Sequence, residues 1–149
     1  MNQKKSKKKI KSRWKLLPGV EPTEMDLKIL EAQEKGILVP TRKLIKTPQQ
    51  IEGIRKAGVL NTDVLDYVSE HIREGMSTLE IDKLVHDFTV EHGGTPAPLN
   101  YFGFPKSCCT SVNDVVCHGI PCDWEILEEG DIVNVDVTTI VDGYYADAS

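Results

Sequence analysis

Hydrophobic residues recur with the period of an α-helix in two consecutive segments of the chain. The first segment starts at the run TPQQ at positions 47–50, which combines a capping hydroxyl, a proline at the first helical position and an amide three residues after the cap. The second starts at Ser77, where Glu80 completes a capping box, and ends at the glycine pair 93–94. The pattern predicts two amphipathic helices with these inward-facing residues: Ile51, Ile54, Leu60, Val64, Leu65, Val68 and Ile72, then Ile81, Leu84, Val85 and Phe88.

The pattern changes to alternation at positions 132–140, which predicts a β-strand with a valine face and a polar face. The Asp142-Gly143 pair that follows is a strong hairpin signal. Short apolar runs at 108–112 and 115–117 predict two further strands around Asn113-Asp114. The fold class is therefore predicted as α+β, with amphipathic helices packed on an antiparallel sheet.

The segment before position 47 is predicted to be less regular. Thr23 can cap a short helix over 24–35, and Gly36 stands just past its end. An extended passage, interrupted by Pro40, is predicted over 38–45. The predicted organisation is a basic arm and linker at 1–22, an N-terminal extension at 23–46 and a folded domain at 47–149.

Composition adds a charge asymmetry. The 149 residues carry 18 Lys and Arg against 23 Asp and Glu, but eight of the basic residues lie within positions 1–15, where there is no acidic residue. Such an arm has too few apolar groups to fold alone and suits a polyphosphate partner such as RNA or the ribosome, contacted through residues 4–15. Trp14 could add stacking on an exposed base. A solubilising tail and, with less support, an organellar transit peptide remain as alternatives.

The remaining composition places the protein in a reducing compartment and away from membranes. No window approaches 18 uninterrupted apolar residues, and no secretory leader is evident, so we expect a cytoplasmic protein. The four cysteines crowd into positions 108–122 and two of them are neighbours, which favours free thiols over disulfides.

The predicted hairpin brings two carboxylates to one face. If Asp142-Gly143 forms a two-residue turn, Thr138 lies opposite Asp147, and Asp136 and Asp147 become diagonal neighbours about 7–8 Å apart at the backbone. A β-bulge in the hairpin is the alternative and would shift this register by one residue. Carboxylates that converge across this gap can hold one divalent cation or a pair of cations. On spacing alone, an ordinary solvent-facing side of a hairpin is the alternative, and Asp131 and Asp142 are interpreted as turn residues.

His118 is a second candidate, because it is predicted to follow a strand at the point where a loop begins. Such positions often carry catalytic or substrate-contacting imidazoles, although a structural histidine is the alternative. A zinc site made by Cys109, Cys117, His118 and Cys122 is disfavoured by the spacing of the cysteines. A Cys117-His118 nucleophilic pair is disfavoured because neighbours on a strand point to opposite faces.

Several runs of residues closely resemble type I methionine aminopeptidases. They are NDVVCHGIP at 113–121, GDIVNVD at 130–136, and the DG pair at 142–143 followed by Asp147. The helix start PQQIE at 48–52 and the loop NYFGFPKS at 100–107 extend the resemblance over about residues 47–149. The resemblance implies a pita-bread (creatinase/aminopeptidase-like) fold, in which two similar α+β halves close over a dinuclear metal centre.

The resemblance also implies roles for individual residues. Asp136 and Asp147 take the positions of two aspartate ligands of a pair of divalent ions, which are manganese, iron, cobalt or zinc. His118 takes the position of the histidine that contacts the substrate and assists proton transfer. The pocket for the methionine side chain takes in Tyr101, Phe104 and Cys109, with Phe104 standing where many relatives carry tyrosine.

The implied activity is removal of the N-terminal initiator methionine from nascent proteins. The family completes its metal site with a histidine and two glutamates that have no counterpart in this sequence. We therefore expect this chain to be the N-terminal half of a longer enzyme and to be inactive alone. The alternative is a non-catalytic pita-bread binding module that docks on the ribosome or RNA through its basic arm.

Overall fold

The computed structural model describes residues 14–39 and 41–149. These residues fall into two compact units, one up to Thr47 and one at Pro48–Ser149. Most of the predicted basic arm, residues 4–13, lies outside the described residues. Among the helices of the described part, none is long and apolar enough to cross a membrane.

Residues 14–39 and 41–47 of the first unit contain one α-helix, α1, at Glu24–Glu34. Thr23 caps it as predicted, and Asp26 returns the hydrogen bond to the Thr23 backbone, which completes a capping box. The Trp14 indole is only 4% exposed, because it donates to Asp26 and lies under the Arg42 guanidinium. The stacking of Trp14 on a base is therefore wrong, since the ring is already packed inside this unit.

The passage predicted as extended over 38–45 is also partly wrong. A single 3-10 turn occupies Arg42–Leu44. Arg42 donates to the Lys15 carbonyl oxygen at 2.7 Å and forms an ion pair with Asp26. These tertiary bonds shape the turn, and local sequence preference does not reveal them.

The second unit begins with the two predicted helices, α2 at Pro48–His71 and α3 at Thr78–Glu91. The Ser77–Glu80 capping box that starts α3 is confirmed. The inward face of α2 is set by Leu60, Val64 and Val68, whereas Ile51 and Ile54 are 47% and 37% exposed. The prediction that those two isoleucines face inward is wrong, because the core of this unit begins about two turns into α2.

Four antiparallel strands form the sheet: β1 at Thr95–Pro96, β2 at Cys109–Val112, β3 at Val133–Val141 and β4 at Tyr144–Ala148. Each of the other three strands pairs with β3. Val137 on β3 is fully buried against the helices, with Val133 and Val135 packed around the same core. The predicted α+β arrangement is confirmed.

The second short strand predicted at 115–117 is wrong. This segment is an exposed loop, in which the Val116 side chain is 92% exposed. The turn before it is closed by Asn113, whose side chain donates to Asp131 and accepts from the Ile132 backbone. The apolar residues at 115–117 are therefore not part of the sheet in this unit.

Candidate metal site and groove

The β3–β4 hairpin places two carboxylates on one polar face. The turn residues Asp142 and Gly143 have φ of +50° and +80°, values that suit the primed turns of tight hairpins. The resulting register pairs Thr138 with Asp147, as the two-residue turn predicts. Asp136 and Asp147 are thus diagonal neighbours, and the Thr138 hydroxyl donates to one Asp147 oxygen. That hydroxyl orients the Asp147 carboxylate on the strand.

Both carboxylates open into one groove of about 920 Å³ in the second unit. The groove brings together all six residues proposed from the sequence as site residues. They are Asp136, Asp147, His118, Tyr101, Phe104 and Cys109. Residues more than 45 positions apart in the chain therefore share one surface.

The negative charges of Asp136 and Asp147 repel each other. Burial is the main cause that raises the pKa of Asp136, and the Asp147 charge raises it further. The nearby His118 imidazole acts in the opposite direction on the same pKa. A cation between the carboxylates would remove this repulsion.

Cys109 forms an apolar part of the groove wall. It is the register partner of Asp136 across β2 and β3, so the two side chains stand on the same face. Burial raises the pKa of its thiol, and the charge of Asp136 raises it further. The thiol is therefore neutral at physiological pH, which suits a wall contact and not a nucleophile. All four cysteines are free, in agreement with the prediction of reduced thiols.

His118 reaches the groove from the exposed loop that precedes Pro121. Its backbone has φ of +57°, in the left-handed region that residues other than glycine seldom adopt. The prediction that His118 follows a strand over 115–117 is wrong, because these residues form a loop. The presence of His118 beside the carboxylates depends on the loop that carries it.

The groove also contains residues that were not among the predicted site residues. Phe102 is 94% exposed with φ of +46°, and its ring packs edge-on against Tyr101 at 4.7 Å between centroids. Thr138 and Tyr145 also line the groove. Thr138 could have been found from the sequence, because it lies on the same polar face of β3 as Asp136. Phe102 carries no comparable signal, since its position depends on the folding of the 100–107 loop.

The donor chemistry fits a hard divalent cation. Carboxylate oxygens on adjacent strands are the ligand type that such ions prefer, and Thr138 leaves the second oxygen of Asp147 available. No group of three or more His, Cys, Asp or Glu side chains suited to a metal occurs among residues 14–39 and 41–149. The described residues thus offer one pair of carboxylates at this face and no larger group of metal-binding side chains.

Comparison with known proteins gives a consistent family assignment. Methionine aminopeptidase 1 of Saccharomyces cerevisiae is 54% identical over 98 residues, covering 66% of this chain and 25% of the relative. The crystal structure of methionine aminopeptidase from Rickettsia prowazekii matches with a TM-score of 0.67 and 50% identity, covering 69% of this chain and 41% of that one. Prolidase from Pyrococcus furiosus, at 24% identity and a TM-score of 0.58, shows the fold alone.

The fold is the α+β pita-bread fold that these proteins share. This chain spans only about a quarter to two fifths of the length of the methionine aminopeptidases it matches. The model of metallopeptidase family M24 matches residues 52–149 of the 149. The chain belongs to metallopeptidase family M24.

Proposed function

We propose that the protein containing this chain is a metal-dependent methionine aminopeptidase, which removes the initiator methionine from nascent proteins in the cytoplasm. The observation that carries the proposal is the single groove in which a carboxylate pair, an imidazole and an aromatic and thiol wall meet. About 50% identity to methionine aminopeptidases over this region supports the same assignment. The non-catalytic binding module is not supported by these relatives.

Asp136 and Asp147 are proposed as ligands of two divalent ions, drawn from manganese, iron, cobalt and zinc. When bound, such ions supply Lewis acidity that makes water a hydroxide-like nucleophile at neutral pH. The protein's part is to hold two carboxylates on a rigid hairpin, with Thr138 orienting Asp147. The remaining ligands would come from outside the described residues.

The groove wall is proposed to select methionine. Tyr101 and Phe104 supply aromatic surface, and Cys109 supplies a neutral sulfur beside Asp136. A flexible thioether packs well against aromatic rings and sulfur, whereas a β-branched side chain fills such a wall less well. A methionine side chain packed against this wall would keep the scissile peptide bond close to the carboxylates.

His118 is proposed to hydrogen-bond the substrate near the scissile amide and to assist proton transfer. It lines the same groove as the carboxylates without adding a third ligand to a metal cluster among the described residues. An imidazole suits proton transfer near neutral pH. Its proposed role therefore concerns the substrate and not the metal.

Hydrolysis of short peptides by the complete protein, reconstituted with manganese or cobalt, tests the proposal. We expect a Met-Ala-Ser peptide to be cleaved at least about 100-fold faster than Val-Ala-Ser or Ala-Pro. Asp147→Asn should lose metal and turnover together, because an amide is a weaker ligand for a hard cation. Asp142→Asn, at the exposed turn of the same hairpin, is the matched control and should retain both. Preferred cleavage of Ala-Pro would reassign the protein to another branch of the fold.

A contact of residues 4–15 with the ribosome or RNA remains a proposal that rests on charge alone. Within that range, the structure describes Trp14, whose ring is buried in the first unit, and Lys15, whose side chain is exposed. Lys15 is thus the one described cation of this range, and the other cations of the proposed contact lie outside the described residues.

A further inference from the structure

His118 has a strained backbone that something in the fold must maintain. Its φ of +57° lies in the left-handed region, and the residue is exposed. A non-glycine residue persists in such a conformation only when its surroundings impose it. The contacts of the next residue, Gly119, supply this constraint.

Gly119 lies directly on strand β2 through two hydrogen bonds. The Thr110 N–H donates to the Gly119 carbonyl oxygen at 3.0 Å, and the Gly119 N–H donates to the Ser111 hydroxyl at 3.3 Å. Thr110 and Ser111 are both almost completely buried, so β2 is a firm support. The loop is thereby fixed to the strand immediately after His118.

The approach of Gly119 to β2 leaves no room for a side chain. A Cβ atom at this position would stand 1.9 Å from the Thr110 carbonyl oxygen and 2.8 Å from the carbonyl carbon. Ordinary van der Waals contact begins near 3.4 Å, so the loop would have to move by about 1.5 Å. The obstacle is backbone inside a paired strand, which cannot swing aside as a side-chain end can.

The same strand carries the groove wall. Cys109, next to Thr110, is paired with Asp136 on β3. Gly119 thus fixes the position of His118 relative to β2, and the β2–β3 register places Cys109 of that strand opposite Asp136. A shift of the loop on β2 would move the imidazole relative to the carboxylates, while the β2–β3 pairing could stay intact.

We propose that Gly119 is a positioning residue for His118, and that the Ser111 hydroxyl assists it by holding the Gly119 N–H. This inference rests on the proposed function, because it assumes that His118 acts on the substrate. A displacement of about 1 Å in a catalytic group can lower turnover by about 100-fold. Gly119→Ala should therefore lower kcat by about that factor, with little change in KM.

A double-mutant cycle in the complete protein separates positioning from general damage. Gly119→Ala is measured in the wild-type background and in a His118→Ala background. We expect the loss in kcat of about 100-fold in the first and less than about threefold in the second. Equal losses in both backgrounds, or no loss in either, would overturn the proposal. Gly58→Ala is the matched control, because Gly58 has no atom within 4 Å of a new Cβ.

A milder variant covers the case in which Gly119→Ala does not fold. Ser111→Ala removes one hydrogen bond and should lower kcat about fivefold, and Ser111→Thr, which retains the hydroxyl, should restore most of it. Full activity of Ser111→Ala would then overturn the proposal.

A crystal structure distinguishes this inference from the proposed function. If the wild-type protein hydrolyses no methionyl peptide, the proposed function fails, and the structures of the wild-type and Gly119→Ala proteins are compared directly. An imidazole displaced by about 1 Å or more in the variant supports the positioning role. An unmoved imidazole, with the Cβ accommodated elsewhere, overturns it.

Discussion

Replacing Asp136 by asparagine is expected to change stability in opposite directions with and without metal. In the metal-free protein, burial and the Asp147 charge raise the pKa of Asp136 above its value in an unfolded chain. The folded state then binds this proton more tightly, so stability falls as pH rises from about 4 through the folded pKa. At pH 7 the ionised carboxylate of Asp136 lowers the free energy of unfolding. The neutral amide of Asp136→Asn should remove this destabilisation.

Charge repulsion sets the stability change of Asp136→Asn without metal, and cation binding sets the change with metal. If the backbone separation of about 7–8 Å is taken as the distance between the two charges, they repel by about 2 kcal/mol at an effective dielectric of about 20. Solvent reaches this half-exposed pair, so Asp136→Asn should raise the metal-free free energy of unfolding by no more than about 1 kcal/mol. A cation at 100 times its dissociation constant stabilises the wild-type protein by about 2.7 kcal/mol. The amide variant should gain little of that stabilisation.

Urea unfolding of the complete protein at pH 7, in EDTA and in manganese, measures both effects. We expect Asp136→Asn to be at least as stable as the wild-type protein in EDTA and clearly less stable in manganese. Asp142→Asn, at the exposed hairpin turn, should follow the wild-type protein in both conditions. An equal gain from manganese in Asp136→Asn and the wild-type protein would refute the ligand assignment. A loss of stability of Asp136→Asn in EDTA would refute the argument from charge repulsion.

Three further results are expected. His118→Ala should lower turnover by about 100-fold or more while metal content, measured by elemental analysis, stays near wild-type; loss of the metal would mean that His118 is a ligand. Deletion of residues 1–13 should leave Met-peptide hydrolysis unchanged and weaken ribosome binding in a salt-dependent way in sedimentation assays, whereas equal sedimentation would remove the arm as a ribosome contact. The 149-residue chain alone should release no methionine from Met-Ala-Ser in manganese or cobalt, because its described residues offer two carboxylates and no larger metal cluster; turnover would show that the site is complete within it.

Elements with local signals could be predicted closely. The Ser77–Glu80 capping box and the alternation of β3 identify their elements because both depend on residues within a few positions of each other. The Asp142-Gly143 pair likewise indicated the hairpin register, since a two-residue turn at these positions pairs Thr138 with Asp147. With that register known, the shared face of the two carboxylates followed from the two-residue period of a strand.

Elements that depend on distant contacts could not be predicted in this way. The residues at 115–117 have strand composition, yet no strand pairs with them in the described unit and they form an exposed loop. Trp14 looks like part of a free basic arm, but Asp26 and Arg42 bury it in the first unit. Trp14 contacts residues that are more than ten positions away, and residues 115–117 have no strand partner in the described unit. The local residue pattern reveals neither fact.

The sequence by itself determined the helices, the hairpin and the carboxylate pair, because periodicity, caps and turn chemistry act over short distances. Local patterns did not bring Tyr101, Cys109 and His118 to that pair; the family resemblance implied it, and the tertiary structure shows the shared groove. Only the tertiary structure decided how His118 is held, through the close approach of Gly119 to Thr110. The physical reason is that a strained loop conformation is stabilised by contacts with another strand, and its own residues do not specify where that strand lies.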